Sequence, residues 1–347
     1  MTAMHSYALE QVWSPLSESL IDWDEDFHQL MLNDRLRMVA YRKAIFETVQ
    51  PGDRVVDLGT GTGILSLWAL EAGAAEVIGI DLSAPILAMA VERMKQAGFT
   101  DRFKAVHAFS HEVELSEPVD VLMSEIIGNM GDNENFQPIL QDGIKRFLKP
   151  QGKLLPQNTH SYLVPVCAPR AHADVREGRV DSLTQHYDVQ QLYRDRQVSS
   201  PFNLYYDCIV PCSAYLSQPQ VAAAYFGDWT QPAHYSRSLS FTLNSQAMLT
   251  GFKVYFVAQL SDDTQLDISG DDIGMGKTSD SWKHAYLPIA TPIEVQSGDR
   301  LHMTWSRSAV NRLGSFAQAY RWRGAISRLG LDIGYFDQCM DEALLRN

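Results

Sequence analysis

Long apolar runs are missing from this chain of 347 residues. No stretch reaches the about 18 uninterrupted apolar residues that a membrane helix needs. The first residues, MTAMHSYALEQVWSPLSESLIDWDEDF, have neither the basic start nor the apolar run of a secretory leader. Both absences point to a cytoplasmic protein with no membrane partner. Cysteine is scarce: Cys167, Cys208, Cys212 and Cys339 are scattered, and the one close spacing, Cys208 to Cys212, lacks a matching second pair with histidines. That argues against a disulfide framework and against a metal site. Positive charge is also short, with Lys+Arg 29 against Asp+Glu 42 and a formal net charge of −13. Such a surface repels nucleic-acid phosphates and favours cationic substrates.

What is present divides the chain in two, as expected for a length beyond a single ordinary core. Up to Pro156 buried strands alternate with helices. RVVDLG (54–59), EVIGIDLS (76–83) and VDVLMSE (119–125) read as strands, ILSLWALEAG (64–73) and APILAMAVERMKQAG (84–98) as helices. FQPILQDGIKRFLKPQG (136–152) reads as a helix stopped by Pro150 and Gly152. Alternation of this kind predicts a parallel sheet covered by helices. After Pro156 the chain turns to short aromatic, β-prone runs: HSYLVPV, SLSFTLN, LTGFKVYFVAQL, WKHAYLPI and DRLHMTWSRSAV. These predict an antiparallel sheet or barrel. Residues 169–197 are more polar and helix-prone, which marks an inserted arm. The expected organisation is a helical segment over 1–50, a Rossmann-like domain over 51–156 and a β-barrel domain over 157–347.

The glycines Gly59, Gly61 and Gly63 follow a buried strand and open a helix, where missing side chains let a ligand approach the backbone. Asp81 closes the next strand, about 20 residues on, where a carboxylate can accept hydrogen bonds from both hydroxyls of a ribose. Asp57 stands two residues before the first glycine, the pattern of nucleoside-dependent methyltransferases. Dinucleotide enzymes more often have an apolar residue there, leaving room for a pyrophosphate. The expected cofactor is S-adenosyl-L-methionine.

In SEIIGNMGDNENF (124–136), Glu125 and Glu134 stand nine positions apart among small, amide and glycine residues. Glu125 ends an apolar strand at the carboxyl edge of the predicted sheet, where open α/β sheets bind ligands. Glu134 lies just before a helix, where an acid can also serve as a cap, but the substrate-carboxylate reading is the favoured one. Two carboxylates in one pocket repel each other and need a cation, and a guanidinium fork satisfies both.

These stretches, with MLNDRLRMVAYRKAIF (31–46) and EVELSEPVDVLMSE (112–125), resemble the protein arginine methyltransferase family in order and separation. The match covers most of 27–165 and resumes weakly at SDSWKHAYLPI (279–289). The resemblance implies that Glu125 and Glu134 are the catalytic acid pair that aims one guanidine nitrogen at the cofactor's methyl. It implies cofactor contacts from His28, Arg37 and the region of Ser110, His111 and Glu112, an acceptor pocket touched by Met31 and Trp282, and a homodimer formed through the arm. The expected substrate is an arginine-containing protein, peptide or small guanidine. The alternatives are methyl transfer to another small nucleophile and a non-catalytic binding protein. Replacing either acid with glutamine is expected to preserve folding and cofactor affinity while cutting turnover.

The chain also departs from the family. The paired tyrosines before the first cofactor helix are replaced by LIDWDEDF (20–27), leaving Trp23 or Tyr7 as substitutes. The family's Thr-His-Trp loop becomes Asp280-Ser281-Trp282. The lost histidine would face an acid matching Asp34, and His284 is the replacement the sequence offers.

Overall fold

The computed structural model describes residue 9 and residues 11–13, 25–180, 193–194, 198–271, 279–309 and 317–340. Tyr7, Trp23 and most of the arm beyond residue 180 lie outside the described residues.

Helices α1 (Glu25–Asn33) and α2 (Arg35–Thr48) lead into a five-stranded parallel sheet. The sheet contains β2 (Arg54–Leu58), β3 (Glu76–Asp81), β4 (Phe103–His107), β5 (Val119–Ser124) and β6 (Leu148–Leu155) in the order β4-β3-β2-β5-β6. Its central strands are almost wholly buried, because α3 (Ile64–Glu71), α4 (Ala84–Gln96) and α5 (Phe136–Phe147) connect them. The chain runs from β2 outward to β4, then returns to β5 on the other side of β2. The reversal opens a crevice at the carboxyl ends of β2 and β5, the place where such sheets bind ligands.

Helix α5 ends at Phe147, before the two residues expected to stop it. Pro150 and Gly152 lie instead in β6, which among the described residues pairs only with β5. A proline is tolerated there because an edge strand has one side with no ladder to donate to.

The second half forms two antiparallel sheets. One has the order β1-β8-β13-β11-β7-β9, with β12 on β11; its members are β1 (Gln11–Trp13), β7 (Asn158–Val166), β8 (Tyr205–Cys208), β9 (Gln220–Phe226), β11 (Ala247–Gln259), β12 (Gln265–Asp267) and β13 (His284–Val295). The other has the order β10-β14-β15-β16, from β10 (Tyr235–Thr242), β14 (Arg300–Ala309), β15 (Gln318–Arg328) and β16 (Leu331–Cys339). Leu163, Leu249 and Phe252 of the first share an apolar core with Phe241, Trp305 and Trp322 of the second. Side-chain packing between two ladders therefore encloses the core of the predicted barrel. Helix α6 (Pro169–Glu177) opens the arm region and stops at Gly178, whose φ of 67° is left-handed.

Buried polar contacts join the halves. Asp132, in the loop between β5 and α5, accepts hydrogen bonds from the hydroxyls of Tyr225 (2.9 Å), Tyr235 (2.9 Å) and Tyr320 (2.7 Å). Arg307 of β14 pairs with the Asp132 carboxylate at 3.8 Å and donates to its carbonyl at 2.8 Å. Trp229 adds an edge-to-face contact with Phe136, and its carbonyl accepts from Gln137.

Candidate active site

A cavity of about 600 Å³ opens along the carboxyl edge of the parallel sheet and under α1 and α2. Its size is that of a pocket for a cofactor with a small acceptor. Gly59 and Gly61 form part of its wall, and both take left-handed φ values, 70° and 53°. A Cβ on Gly59 would strike Ile126 at 2.8 Å, and one on Gly61 would stand 3.2 Å from the ring of His28, which also faces the cavity. Gly63 has another use: a Cβ there would meet Ala90 of α4 at 2.8 Å, so this glycine lets two helices approach and lies off the cavity wall.

Asp57 is also set back from the cavity. One of its oxygens accepts from Thr60 at 2.8 Å and Ser66 at 2.7 Å, which fixes the glycine turn from below. Burial, added to by the charge of Asp81, raises its pKa to about 6 against those hydrogen bonds. Asp81 faces the cavity and holds the rim, accepting from the amides of Gly61 and Ser83 at 2.8 Å each. Beyond β4, Ser110 and His111 line the cavity while Glu112 does not. Arg146 of α5 pins this turn by donating to the carbonyls of Ser110 and Val113, 2.6 Å each.

At the other end of the cavity stand Glu125 and Glu134. Glu125 follows β5 directly and forms an ion pair with Arg37 of α2, both side chains being nearly out of solvent. Burial brings the Arg37 pKa down to about 10. Its Nε is a buried donor with no hydrogen-bond partner among the described residues. Glu134 precedes the N-cap of α5, Asn135, whose φ of 55° is left-handed and whose side-chain Oδ1 accepts from Arg307 at 3.4 Å. Burial raises the Glu134 pKa to about 7, with Arg37 pulling the other way. A buried carboxyl held near neutrality beside an open pocket is suited to receive a cation.

Met31 and Trp282 also line the cavity. The Arg37 guanidinium lies over the Trp282 ring at 4.6 Å, and the indole N–H donates to the carbonyl of Ile127 at 2.8 Å. Asp34 has partners other than the one proposed from sequence. It accepts from the Ser281 amide (2.9 Å), the Ser281 hydroxyl (2.7 Å) and the Ser279 hydroxyl, and it caps α2 through the Arg37 amide at 3.1 Å. Burial pushes the Asp34 pKa up, but these hydrogen bonds outweigh it and the net shift is downward. His284 is elsewhere, accepting from the Val210 amide and facing the Ile268 carbonyl inside the antiparallel half, so it does not replace the lost histidine.

The cavity also gathers residues that the sequence did not point to: Asn129, Asn133 and Asp207. Asn129 and Asn133 belong to the acid-pair loop, but Asp207 sits in β8 inside a run, YYDC, with no local motif. Among the described residues no group of three or more His, Cys, Asp or Glu could hold a metal ion, and no helix is long and apolar enough to cross a membrane.

Comparison with known proteins gives two family matches, PRMT5 oligomerisation domain over residues 158–313 and ribosomal protein L11 methyltransferase over residues 41–155. Curated relatives include probable protein arginine N-methyltransferase 6 of Arabidopsis thaliana, 38% identical over 144 residues, which are 41% of this chain and 33% of that protein. Protein arginine N-methyltransferase 6 of Danio rerio is 33% identical over 160 residues, 46% of this chain and 44% of that protein. The chain thus spans less than half the length of the curated relatives it matches. Two solved structures share the fold along nearly the whole chain. A Trypanosoma brucei PRMT1 enzyme-prozyme heterotetrameric complex with AdoHcy has a TM-score of 0.75 at 21% identity, covering 93% of this chain and 99% of that one. Arabidopsis thaliana protein arginine methyltransferase 10 has a TM-score of 0.76 at 19% identity, covering 94% of this chain and 100% of that one.

Proposed function

We propose that the chain is a member of the protein arginine N-methyltransferase family and transfers a methyl group from S-adenosyl-L-methionine to the guanidinium of an arginine-containing protein, peptide or small guanidine. The observation that carries this reading is the shared cavity of Glu125 and Glu134, one paired with Arg37 and the other held near neutrality. A pocket for a neutral nucleophile would have no use for a second buried carboxyl.

The residues present suit the cofactor. The glycine wall accepts a flat approach, and Asp81 keeps lone pairs for ribose hydroxyls while its oxygens hold the Gly61 and Ser83 amides. The orphaned Arg37 Nε is a ready donor for an amino-acid carboxylate. His28 closes the wall beside Gly61, and Ser110 and His111 stand where the adenine would lie. Asp57 and Gly63 act behind the wall, and Glu112 is the residue of the adenine stretch that we leave out of contact. When bound, S-adenosyl-L-methionine supplies an electrophilic methyl on a sulfonium.

Glu125 and Glu134 then grip the guanidinium on two edges and leave one nitrogen facing the methyl. Met31 and Trp282 flank that path. Most of the acceleration comes from orientation and charge placement in a dry pocket. Transfer would form the N–CH3 bond as the S–CH3 bond breaks and leaves a neutral thioether, and Glu134, whose pKa lies near the working pH, would take the proton released from the guanidinium nitrogen.

The direct test is incubation of the full chain with methyl-labelled cofactor and a panel of arginine-rich peptides, free guanidines and neutral nucleophiles. Label on guanidine nitrogen is expected, and label only on another nucleophile would replace this reading. Asp81→Ala should weaken S-adenosyl-L-methionine binding by roughly 1.5–3 kcal/mol, the scale of hydrogen bonds to a charged acceptor. Calorimetry showing unchanged affinity in the folded variant would remove Asp81 from the site.

A pH profile tests Glu134 separately. Guanidinium capture requires its ionised form, so log kcat/KM should climb with a slope of about one up to pH about 7 and then level. The limb should disappear in Glu134→Gln, and an unchanged limb in that variant would assign it to another group.

We also propose a cytoplasmic homodimer assembled through the polar stretch 169–197. The match of residues 158–313 to an oligomerisation domain supports assembly, and α6 begins that stretch. Removal of 172–194 should leave a monomer by light scattering, and a persistent dimer would relocate the interface.

A further inference from the structure

We propose that Asn133 is a positioning residue for Glu134, folding the acid-pair loop so that its second carboxyl meets the guanidinium. The inference rests on the reading of Glu125 and Glu134 as a guanidinium clamp and adds what holds the second acid in place. Glu125 is fixed by the strand it follows and by its ion pair with Arg37. Glu134 has neither support. It stands at the end of the irregular stretch between β5 and α5, and among the described residues no side chain hydrogen-bonds its carboxyl; burial and the charge of Arg37 are what act on it. Its aim is therefore set by the backbone that carries it.

One side chain closes that backbone. Asn133 is only 1% exposed, and its Oδ1 accepts from the Met130 amide at 2.8 Å. A backbone amide can only donate, so this contact fixes which way round the Asn133 amide sits. Its Nδ2 then donates to Asn129 Oδ1 (3.1 Å) and to the Tyr205 hydroxyl of β8 (3.2 Å). The side chain lies so close over Gly128 that a Cβ there would run into it. The Gly128 carbonyl accepts from the Gly131 amide at 2.7 Å, and the Met130 carbonyl accepts from Ser161 Oγ of β7 at 2.5 Å. Residues 128–131 are thus drawn against Asn133, and two strands of the antiparallel half hold the result.

The same contacts assign Asn133 an indirect role. It lines the cavity, but its oxygen is covered by the Met130 amide and the Gly128 backbone, and both of its N–H groups are spent inside the protein. It acts on the reaction through Glu134, the next residue. Removing it leaves the buried Met130 amide without an acceptor, which the loop can relieve only by moving.

The experiment uses the full chain and compares the parent with Asn133→Ala and Tyr205→Phe at a temperature where circular dichroism shows each variant folded. Single-turnover methyl transfer to a saturating arginine-rich peptide should slow by about 10- to 10²-fold in Asn133→Ala, the scale of a misplacement of about 1 Å. It should slow by about threefold in Tyr205→Phe, which takes one hydrogen bond from Asn133. S-adenosylhomocysteine affinity by calorimetry should match the parent in both. The rising limb of log kcat/KM, which levels at pH about 7 in the parent, should move to lower pH in both variants, because a carboxyl no longer held in its buried place regains water. A residue that only stabilises the fold would lower the thermal midpoint and leave rate and limb in place; that result would overturn the inference. If Asn133→Ala does not fold, Tyr205→Phe decides by the same two readouts. Turnover lost in Glu134→Gln but kept in the folded variants would leave the clamp standing and remove Asn133 from its support. Full turnover in Glu134→Gln would overturn the clamp and this inference together.

Discussion

Glu134→Gln should lower turnover by about 10²-fold or more, the scale of losing one preorganised electrostatic partner, while making the folded protein more stable near pH 8. The carboxyl is buried, and burial lifts its pKa from an ordinary 4.5 to about 7. A folded-state pKa above the unfolded one contributes stability that is fully present below pH 4.5. That contribution is lost as pH rises through about 7, because the ionised form must be carried inside the fold. Glutamine never ionises, so the variant's advantage should be absent near pH 4.5, grow up to about pH 7 and then level, on the order of 1–3 kcal/mol.

Glu125→Gln should behave in the opposite sense on stability although its turnover also falls. It removes the counterion of buried Arg37, and breaking one partner of a buried pair costs on the order of 3–5 kcal/mol. Arg37 would also lose the anchor that aims it at the cofactor, so cofactor affinity should drop. The sequence led to the expectation that both glutamine variants would be silent on folding and cofactor binding; the ion pair changes that for Glu125. Thermal midpoints across pH 5–8, cofactor calorimetry and single-turnover rates on the same samples check all these outcomes. Equal stability effects in the two variants would contradict the division of roles.

The second large effect is expected at Asp132, which lies within the acid-pair stretch 124–136 without being one of its two glutamates. Three tyrosine hydroxyls from β9, β10 and β15 converge on this carboxylate, and Arg307 sits behind it with its side chain fully out of solvent. Asp132→Asn leaves the Arg307 guanidinium uncompensated and should destabilise the protein by about 3–5 kcal/mol. Since Glu134 lies two residues away, whatever folded variant survives should turn over more slowly even where cofactor affinity is intact. Denaturant unfolding and single-turnover kinetics on the purified variant read both. A variant as stable as its parent would mean that the tyrosines, and not the charge, hold the loop.

The parts of the fold and site legible in the sequence were those where chemistry and chain order coincide. A strand, a glycine turn, a helix and a closing acid lie within thirty residues, from Val55 to Ser83, and each local signal agrees with its neighbours. Glu125 was legible for the same reason, since it ends an apolar strand. The antiparallel half gave its strands away through aromatic and β-branched runs, yet gave little of its pairing. Register there depends on contacts between distant strands, and Asp207 owes its place to β1 and β13, nearly 200 and 80 residues away. The same non-locality hid the partners of Asp34. A lost histidine suggested that another histidine must replace it, whereas two serine hydroxyls and an amide do so at shorter reach. Pro150 misled because proline ends helices and is equally at home on an edge strand.

The measurement that tests the central claim most directly is mass spectrometry of an arginine-containing peptide and of 4-aminobutylguanidine after single-turnover incubation with labelled S-adenosyl-L-methionine, with wild type and Glu134→Gln in parallel. The account predicts a labelled methyl on a guanidine nitrogen in the wild-type reaction and about 10²-fold less in the variant. Label on any other atom, or equal guanidine labelling by Glu134→Gln, would contradict it.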